Sequence, residues 1–152
     1  MSVVARLEAE TFDPAEELTA LMRSSLGEGA VVSFVGLTRS EGLKSGTLKA
    51  LALEHHPRLT LQSLEEIAQG AAERFGVAHV RVVHRYGALK PGEPIVFAGA
   101  SSRHRRDAFH AADYLMDRLK TEVVLWKRED GEQGSVWIEP TAGDYADRTR
   151  WE

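Results

Sequence analysis

Extended segments arrive in pairs between helical ones along this chain, and that rhythm limits its fold more than any other feature of the sequence. Val3 to Leu7 reads as a short strand. Asp13-Pro14-Ala15-Glu16 reads as a helix start, with Asp13 as the cap, Pro14 in the first helical position and Glu16 able to reach back. Leu18, Leu21 and Met22 give that helix its buried stripe, and the Gly27 to Gly29 region ends it. Ala30 to Gly36 is a buried strand by its β-branched and aromatic content, followed by a polar loop from Arg39 to Gly46. Thr47 to Glu54 returns as a strand, with Leu48, Ala50 and Ala52 alternating against Lys49 and Leu51. Thr60 can cap a second helix whose apolar face is Leu61, Leu64, Ala68, Ala71 and Phe75, and Gly76 stops it.

Val77 to Tyr86 is the next strand, with Val80 and Val82 alternating against Arg81 and Val83. A turn at Lys90-Pro91-Gly92-Glu93 leads into another over Ile95 to Ala100. A third helix runs from about Arg103 to Lys120, with Phe109, Ala112, Met116 and Leu119 on one face. Glu122 to Lys127 and Ser135 to Glu139 then bracket Glu129-Asp130-Gly131 as a hairpin. Strands joined in pairs by short turns run antiparallel, whereas a doubly wound parallel sheet needs a crossover after each strand. The expected fold is therefore α+β, with a mainly antiparallel sheet, a C-terminal β-hairpin and a single domain over residues 1–152.

Apolar residues make up 43% and charged residues 28% of the chain, an ordinary globular mixture. No apolar run approaches the roughly 20 residues of a membrane span. Met1 to Arg6 does not have the pattern of a secretory signal. Cysteine is absent, which excludes disulfides, thiolate metal sites and a thiol nucleophile and suits a reducing cytosol. The net charge of −4 argues against nucleic acid as a partner. Local basic clusters break that average: Arg103-His104-Arg105-Arg106, Lys127-Arg128, and Arg39 with Lys44 and Lys49. Such concentrated charge suits a small anion.

The third helix carries the clearest departure from local rules. Its first turn holds Arg103, His104, Arg105 and Arg106, where the helix dipole favours acids. Free backbone N–H groups beside cationic side chains make an anion site; the other reading pairs these arginines with acids elsewhere. Lys120 ends the same helix, and Lys127 follows on the hairpin beside Trp126. If the two amines meet, each depresses the other's pKa and improves it as base or nucleophile. There is no dinucleotide fingerprint, P-loop or His-Glu-x-x-His. His55-His56, His79 with His84, and His104 with His110 lack the spacing of a metal pair, so neither a metal nor a resident cofactor is expected.

Three blocks together resemble the molybdopterin synthase large, catalytic subunit family. They are Val32-Ser33-Phe34-Val35-Gly36 leading to Arg39, Val83-His84-Arg85-Tyr86-Gly87-Ala88-Leu89 with Pro91-Gly92-Glu93, and a C-terminal stretch. The last holds Ser102-Arg103-His104-Arg105, Ala108-Phe109, Met116-Asp117, Leu119-Lys120-Thr121, Trp126-Lys127-Arg128-Glu129 and Trp137. The resemblance implies an α/β-hammerhead fold and a cytoplasmic homodimer. Each end of that dimer would bind a small ubiquitin-like carrier ending in a Gly-Gly thiocarboxylate, giving a heterotetramer. The implied reaction moves sulfur onto cyclic pyranopterin monophosphate (precursor Z), making the dithiolene of molybdopterin, with no nucleic acid or membrane involved. Carried over by motif, Lys120 and Lys127 are the essential, catalytic lysines; the expected division puts Lys120 as the catalytic amine or general base and Lys127 on the anionic tail or intermediate. Arg39, His104, Arg105, Arg128 and Thr38 are the expected substrate-binding residues. The chain departs from the family pattern at Leu37, Ser40-Glu41-Gly42, His56 and Val136.

Overall fold

A computed structural model describes residues 1–152. In chain order the elements are β1 (Ser2–Glu8), α1 (Pro14–Ser24), β2 (Ala30–Leu37), β3 (Leu48–His55), α2 (Leu59–Phe75) and β4 (His79–Arg85). They continue with β5 (Gly87–Leu89), β6 (Pro94–Ser102), α3 (Arg105–Glu122), β7 (Leu125–Gly131), β8 (Gly134–Ile138) and α4 (Ala142–Thr149). Two four-stranded sheets result, ordered β1-β4-β6-β2 and β5-β3-β7-β8. Only β1 and β4 pair in parallel; every other pair is antiparallel, as the paired strands predict.

The helices α2 and α3 cover one face of the first sheet. Leu64, Ile67, Ala68 and Ala71 from α2 and Ala111, Leu115 and Leu119 from α3 pack on Val80, Val82, Ala98 and Ala100. On the opposite face, Leu21 of α1 meets Val83 and Phe97, with Leu18 and Val31 beside them. Both faces of β4 and β6 are therefore buried, which is why Val83 does not behave as the solvent-facing partner of Val82. Ile95 touches both this core and a smaller one of Leu51, Leu53 and Leu89 on the second sheet.

Several local expectations are displaced. Asp13 caps α1 by accepting from the Ala15 N–H, but Met22 is exposed and Glu17 is buried in its place. Glu17 is satisfied there by two guanidinium groups: Arg6 donates at 2.8 and 3.1 Å, and Arg81 at 2.8 and 3.1 Å. Thr60 does not cap α2. Its buried hydroxyl accepts from the His56 N–H and donates to the Val124 carbonyl, while His56 Nδ1 accepts from Arg58 and Leu59 N–H at the helix start. On α3 the buried face is Ala108, Ala111, Ala112, Leu115 and Leu119, and Phe109 turns outward. Alanines allow the helix to lie close to its neighbours, and the phenylalanine has no room on that side.

Strand β2 is not buried. It is an edge strand, paired only to β6, and exposes Phe34 and Val35. The hairpin turn falls at Glu132-Gln133 instead of Glu129-Asp130-Gly131: these three residues pair with β8, Glu129 being held by the Leu43 and Lys44 amides of the preceding loop and Asp130 by Arg128 of its own strand. Two short elements escaped the sequence reading, β5 and α4. The latter starts with a reciprocal capping box between Thr141 and Asp144.

The Glu17 cluster sets a pH limit on stability. Burial opposes ionisation of Glu17, and the hydrogen bonds from Arg6 and Arg81 outweigh it, leaving its pKa below the ordinary carboxylate value. A depressed carboxylate contributes stability above its unfolded pKa of about 4.3, and that contribution is lost as pH falls through the folded value. Glu17→Ala should cost about 3–5 kcal/mol in denaturant unfolding at neutral pH, and the acid-side loss of stability should be shallower in the variant than in the native chain.

Candidate active site

The two lysines singled out by the sequence are brought together by a turn with both of its polar groups held. Lys120 lies in the last turn of α3, and the chain reverses at Val123-Val124 into β7. Val124 donates to Ser63 Oγ at 3.1 Å and accepts from the Thr60 hydroxyl, so two hydroxyls of α2 fix the reversal. Along β7 the side chains alternate. Lys127 lies opposite Leu53 and Ile138, both buried, and Glu129 follows on the same inward face.

Glu129 ties this strand to the loop that carries Arg39. Its carboxylate accepts from the Leu43 N–H at 2.7 Å and the Lys44 N–H at 3.0 Å. Gly42 is required at this contact, since a side chain there would run into the Glu129 carboxylate and Leu48. The loop closes on itself through Gly42 N–H to Gly46 O and a bridge between Glu41 and Thr47. Its start is fixed by Thr38, which is buried: its N–H and its hydroxyl both donate to the Glu93 carbonyl, and its own carbonyl accepts from Gly92. Thr38 thus positions the residue that follows it, with its hydroxyl proton committed to the Glu93 carbonyl and its oxygen left as an acceptor.

The resulting cluster is positive and lacks a salt bridge. Arg39, Lys120 and Lys127 form no ion pair with a carboxylate. Burial pushes the Lys127 pKa below the ordinary lysine value, Lys120 and Arg39 push it further, and Asp144 and Glu129 oppose. His84 is buried nearby with Nδ1 2.8 Å from the Arg85 carbonyl oxygen. Its pKa is lowered to about 4, by burial first and then by Lys120 and Lys127, against the Arg85 hydrogen bond. Sequence reading missed His84, Glu129 and Asp144. The alternation of Glu129 with Lys127 and the Thr-x-x-Asp cap at Thr141 were the available signals; for His84 the one signal was its place in a block that carries the family resemblance.

Other expected residues lie elsewhere. Arg128 points to the opposite face of β7, pairs with Asp130 at 2.7 Å and Glu54 at 3.8 Å, and lies 5.4 Å above the Trp137 ring. His104 occupies the α3 N-cap without a side-chain cap bond, and Arg103, Arg105 and Arg106 are exposed without carboxylate partners, leaving the helix start free for an anion. Arg105 and Lys120 are 15 residues apart on α3. That is about 22 Å along the axis, so one chain does not bring both basic groups to one small ligand. The broad groove between β1 and α2 is lined by Glu65, Glu66 and Glu73 and repels anions.

Residues 7–122 match the family described as MoaE protein. A molybdopterin synthase catalytic subunit of Caulobacter vibrioides is 44% identical over 150 residues, covering 99% of this chain and 98% of that protein. The MoaE protein of molybdopterin biosynthesis from Burkholderia ambifaria superposes with a TM-score of 0.83 at 36% identity, covering 99% of this chain and 98% of that one. A complex of subunits 1 and 2 of molybdopterin-converting factor from Helicobacter pylori shares the fold, with a TM-score of 0.69 at 17% identity over 90% of this chain and 88% of that one. The class is thus an α+β enzyme component of molybdenum cofactor biosynthesis. The chain belongs to the MoaE family, the catalytic subunits of molybdopterin synthase.

Two measurements check this geometry. Lys120→Met should move the Lys127 amine pKa back toward the ordinary lysine value, read from the pH dependence of its side-chain NMR signals. Glu129→Ala should speed hydrogen exchange at the Leu43 and Lys44 amides at least ten-fold, because each loses a charge-assisted acceptor worth about 1.5–3 kcal/mol.

Proposed function

We propose that this chain transfers sulfur from the C-terminal thiocarboxylate of a small ubiquitin-like carrier ending in Gly-Gly to precursor Z, forming the dithiolene of molybdopterin. The observation that carries this reading is the cluster of Lys120, Lys127 and Arg39, gathered without a salt bridge around an amine of depressed pKa. A thiocarboxylate is already a nucleophile, so the protein must position it, offset negative charge and move protons. Lys127, half-buried and with the lowered pKa, fits the proton-transfer role, and exposed Lys120 fits contact with the anionic tail. That division reverses the one expected from the sequence.

The separation of the two basic groups along α3 favours a site completed by a second copy. Strand β2 starts beside the α3 N-terminus, with Ala30 paired to Ser102, and ends at Leu37, next to Thr38 and Arg39. Its open edge carries Phe34, Val35 and Leu37 at 43%, 37% and 57% exposure. An antiparallel two-fold pairing along β2 would set His104 and Arg105 of one protomer near Arg39 and the lysines of the other. A homodimer with one carrier at each end is the proposed assembly. The two-subunit complex of the Helicobacter pylori protein supports a small partner subunit. Each chain acts as one domain in the cytoplasm in this reading; no helix is long and apolar enough to cross a membrane.

The direct test mixes the protein with precursor Z and a thiocarboxylated carrier and follows the dithiolene pterin. Lys127→Ala and Lys120→Ala should each lower turnover about 10²–10⁴-fold, the range for removing a group that moves a proton or offsets charge. Near wild-type rates in either variant would remove that residue from the mechanism. Val35→Asp should yield monomers by sedimentation. Mixing inactive His104→Ala and Lys127→Ala chains should restore about a quarter of the activity if sites are shared across a two-fold axis, and none if they are not.

A further inference from the structure

Beyond β8 the chain leaves the strand pair that carries Lys127 and returns to the helix that carries Lys120. Ile138, opposite Lys127 in the hairpin, ends β8. Glu139, Pro140 and Thr141 lead into α4, with Pro140 fixed in its own φ and the reciprocal bonds of Thr141 and Asp144 capping the helix. After α4, Arg150 and Trp151 close on α3. Arg150 Nη2 donates to Asp113 Oδ1 at 3.0 Å and to Asp117 Oδ2 at 2.5 Å, and the Trp151 indole N–H donates to the same Asp117 oxygen at 2.6 Å. The Trp151 ring stands edge-on to Phe75 of α2 and Tyr114 of α3, each at 5.6 Å, with the Arg74 guanidinium 5.7 Å from its centre.

Helix α4 is not held by its own packing. It has eight residues and none of them is buried. A helix that short is marginal in water, so the attachments at its two ends keep it in place. Asp117 is the point where the second attachment concentrates. It is 9% exposed and takes two donors from the returning segment, which offset the cost of burying its charge. The Asp117 carbonyl accepts the Thr121 hydroxyl at 3.1 Å, a bond that spans the turn bearing Lys120.

These ties close a triangle with its corner at the Val123-Val124 reversal. One side runs back along α3 to Asp117, about 9 Å for six residues. Another runs along β7 to Lys127, about 10 Å for three residues. Residues 139–151 are the third side, and α4 alone supplies about 12 Å of it. Lys120 lies on the first side and Lys127 at the far end of the second.

We propose that residues 139–151 are a brace that sets the spacing of Lys120 and Lys127, locked by Asp117, Arg150 and Trp151 as positioning residues. A segment that merely covered apolar surface would need Trp151 on its aromatic neighbours. It would not need a buried carboxylate one turn before Lys120 to take both the indole and the guanidinium.

The inference rests on the sulfur-transfer reading for its kinetic test, and a second test needs no activity. Trp151→Ala leaves the charge of the chain unchanged. With the brace released and the amines free to separate, the Lys127 pKa, held below the ordinary lysine value, should rise in side-chain NMR titrations. Trp151→Phe keeps a ring on Phe75 and Tyr114 and removes only the N–H bond, so it should give a smaller rise. An unchanged Lys127 titration in both variants overturns the proposal. In the sulfur-transfer assay, Asp117→Ala should lower kcat about ten- to a hundred-fold with KM held, the range for a misplaced group, and Asp117→Asn should recover part of it by keeping an acceptor. In a Lys120→Ala background the Asp117→Ala loss should shrink to less than about two-fold, because one residue acts through the other. A loss that multiplies in full in that background overturns the proposal. Absence of sulfur transfer in the wild-type chain would defeat the functional reading and leave the Lys127 titration to decide the brace.

Discussion

Glu129 shares the inner face of β7 with Lys127, and its two carboxylate oxygens are taken by the Leu43 and Lys44 amides. This arrangement keeps like charges together. A carboxylate free to approach the amines would neutralise them; one bound to two backbone donors still offsets part of their repulsion while its oxygens remain fixed on the loop. The same bonds set the distance between β7 and the Arg39 loop. Asp130, on the other face, is likewise engaged by Arg128 and Ser135. The carboxylates on this strand are committed, and the cations of the site keep their charge.

Along α3, charge is arranged both with and against the helix dipole. Lys120 sits at the C-terminal end, where a cation is favoured, while the cations at its start sit where one is disfavoured. An isolated helix gains nothing from the second arrangement. An anion at the free N–H groups would make it favourable, which is what the proposed phosphate-bearing substrate would supply.

Much of the fold could be read from the chain because local signals and tertiary packing agreed: the Asp13-Pro14 helix start, the Lys90–Glu93 turn and every strand of the two sheets except β5. Disagreement arose where burial was two-sided or where a polar side chain found a buried partner. Met22 lost its inward place to Glu17 because two arginines waited on β1 and β4. Phe109 was displaced from the α3 face by alanines that bring the helix close. The lysines and Arg39 were legible through motif resemblance, and their meeting was not, since it depends on a turn held by residues some 60 positions away. The surroundings of His84 were hidden for the same reason: a histidine in an apolar strand says nothing of which charges surround it.

The clamp on Val124 has a wider consequence. Thr60 and Ser63 belong to the first turns of α2, yet they set where α3 stops and β7 begins. The spacing of the two amines is thus a mechanical property of a helix that carries neither of them. Fraying at the start of α2 would loosen both lysines at once, and selection for tighter or looser chemistry can act on that helix without touching a residue that meets substrate.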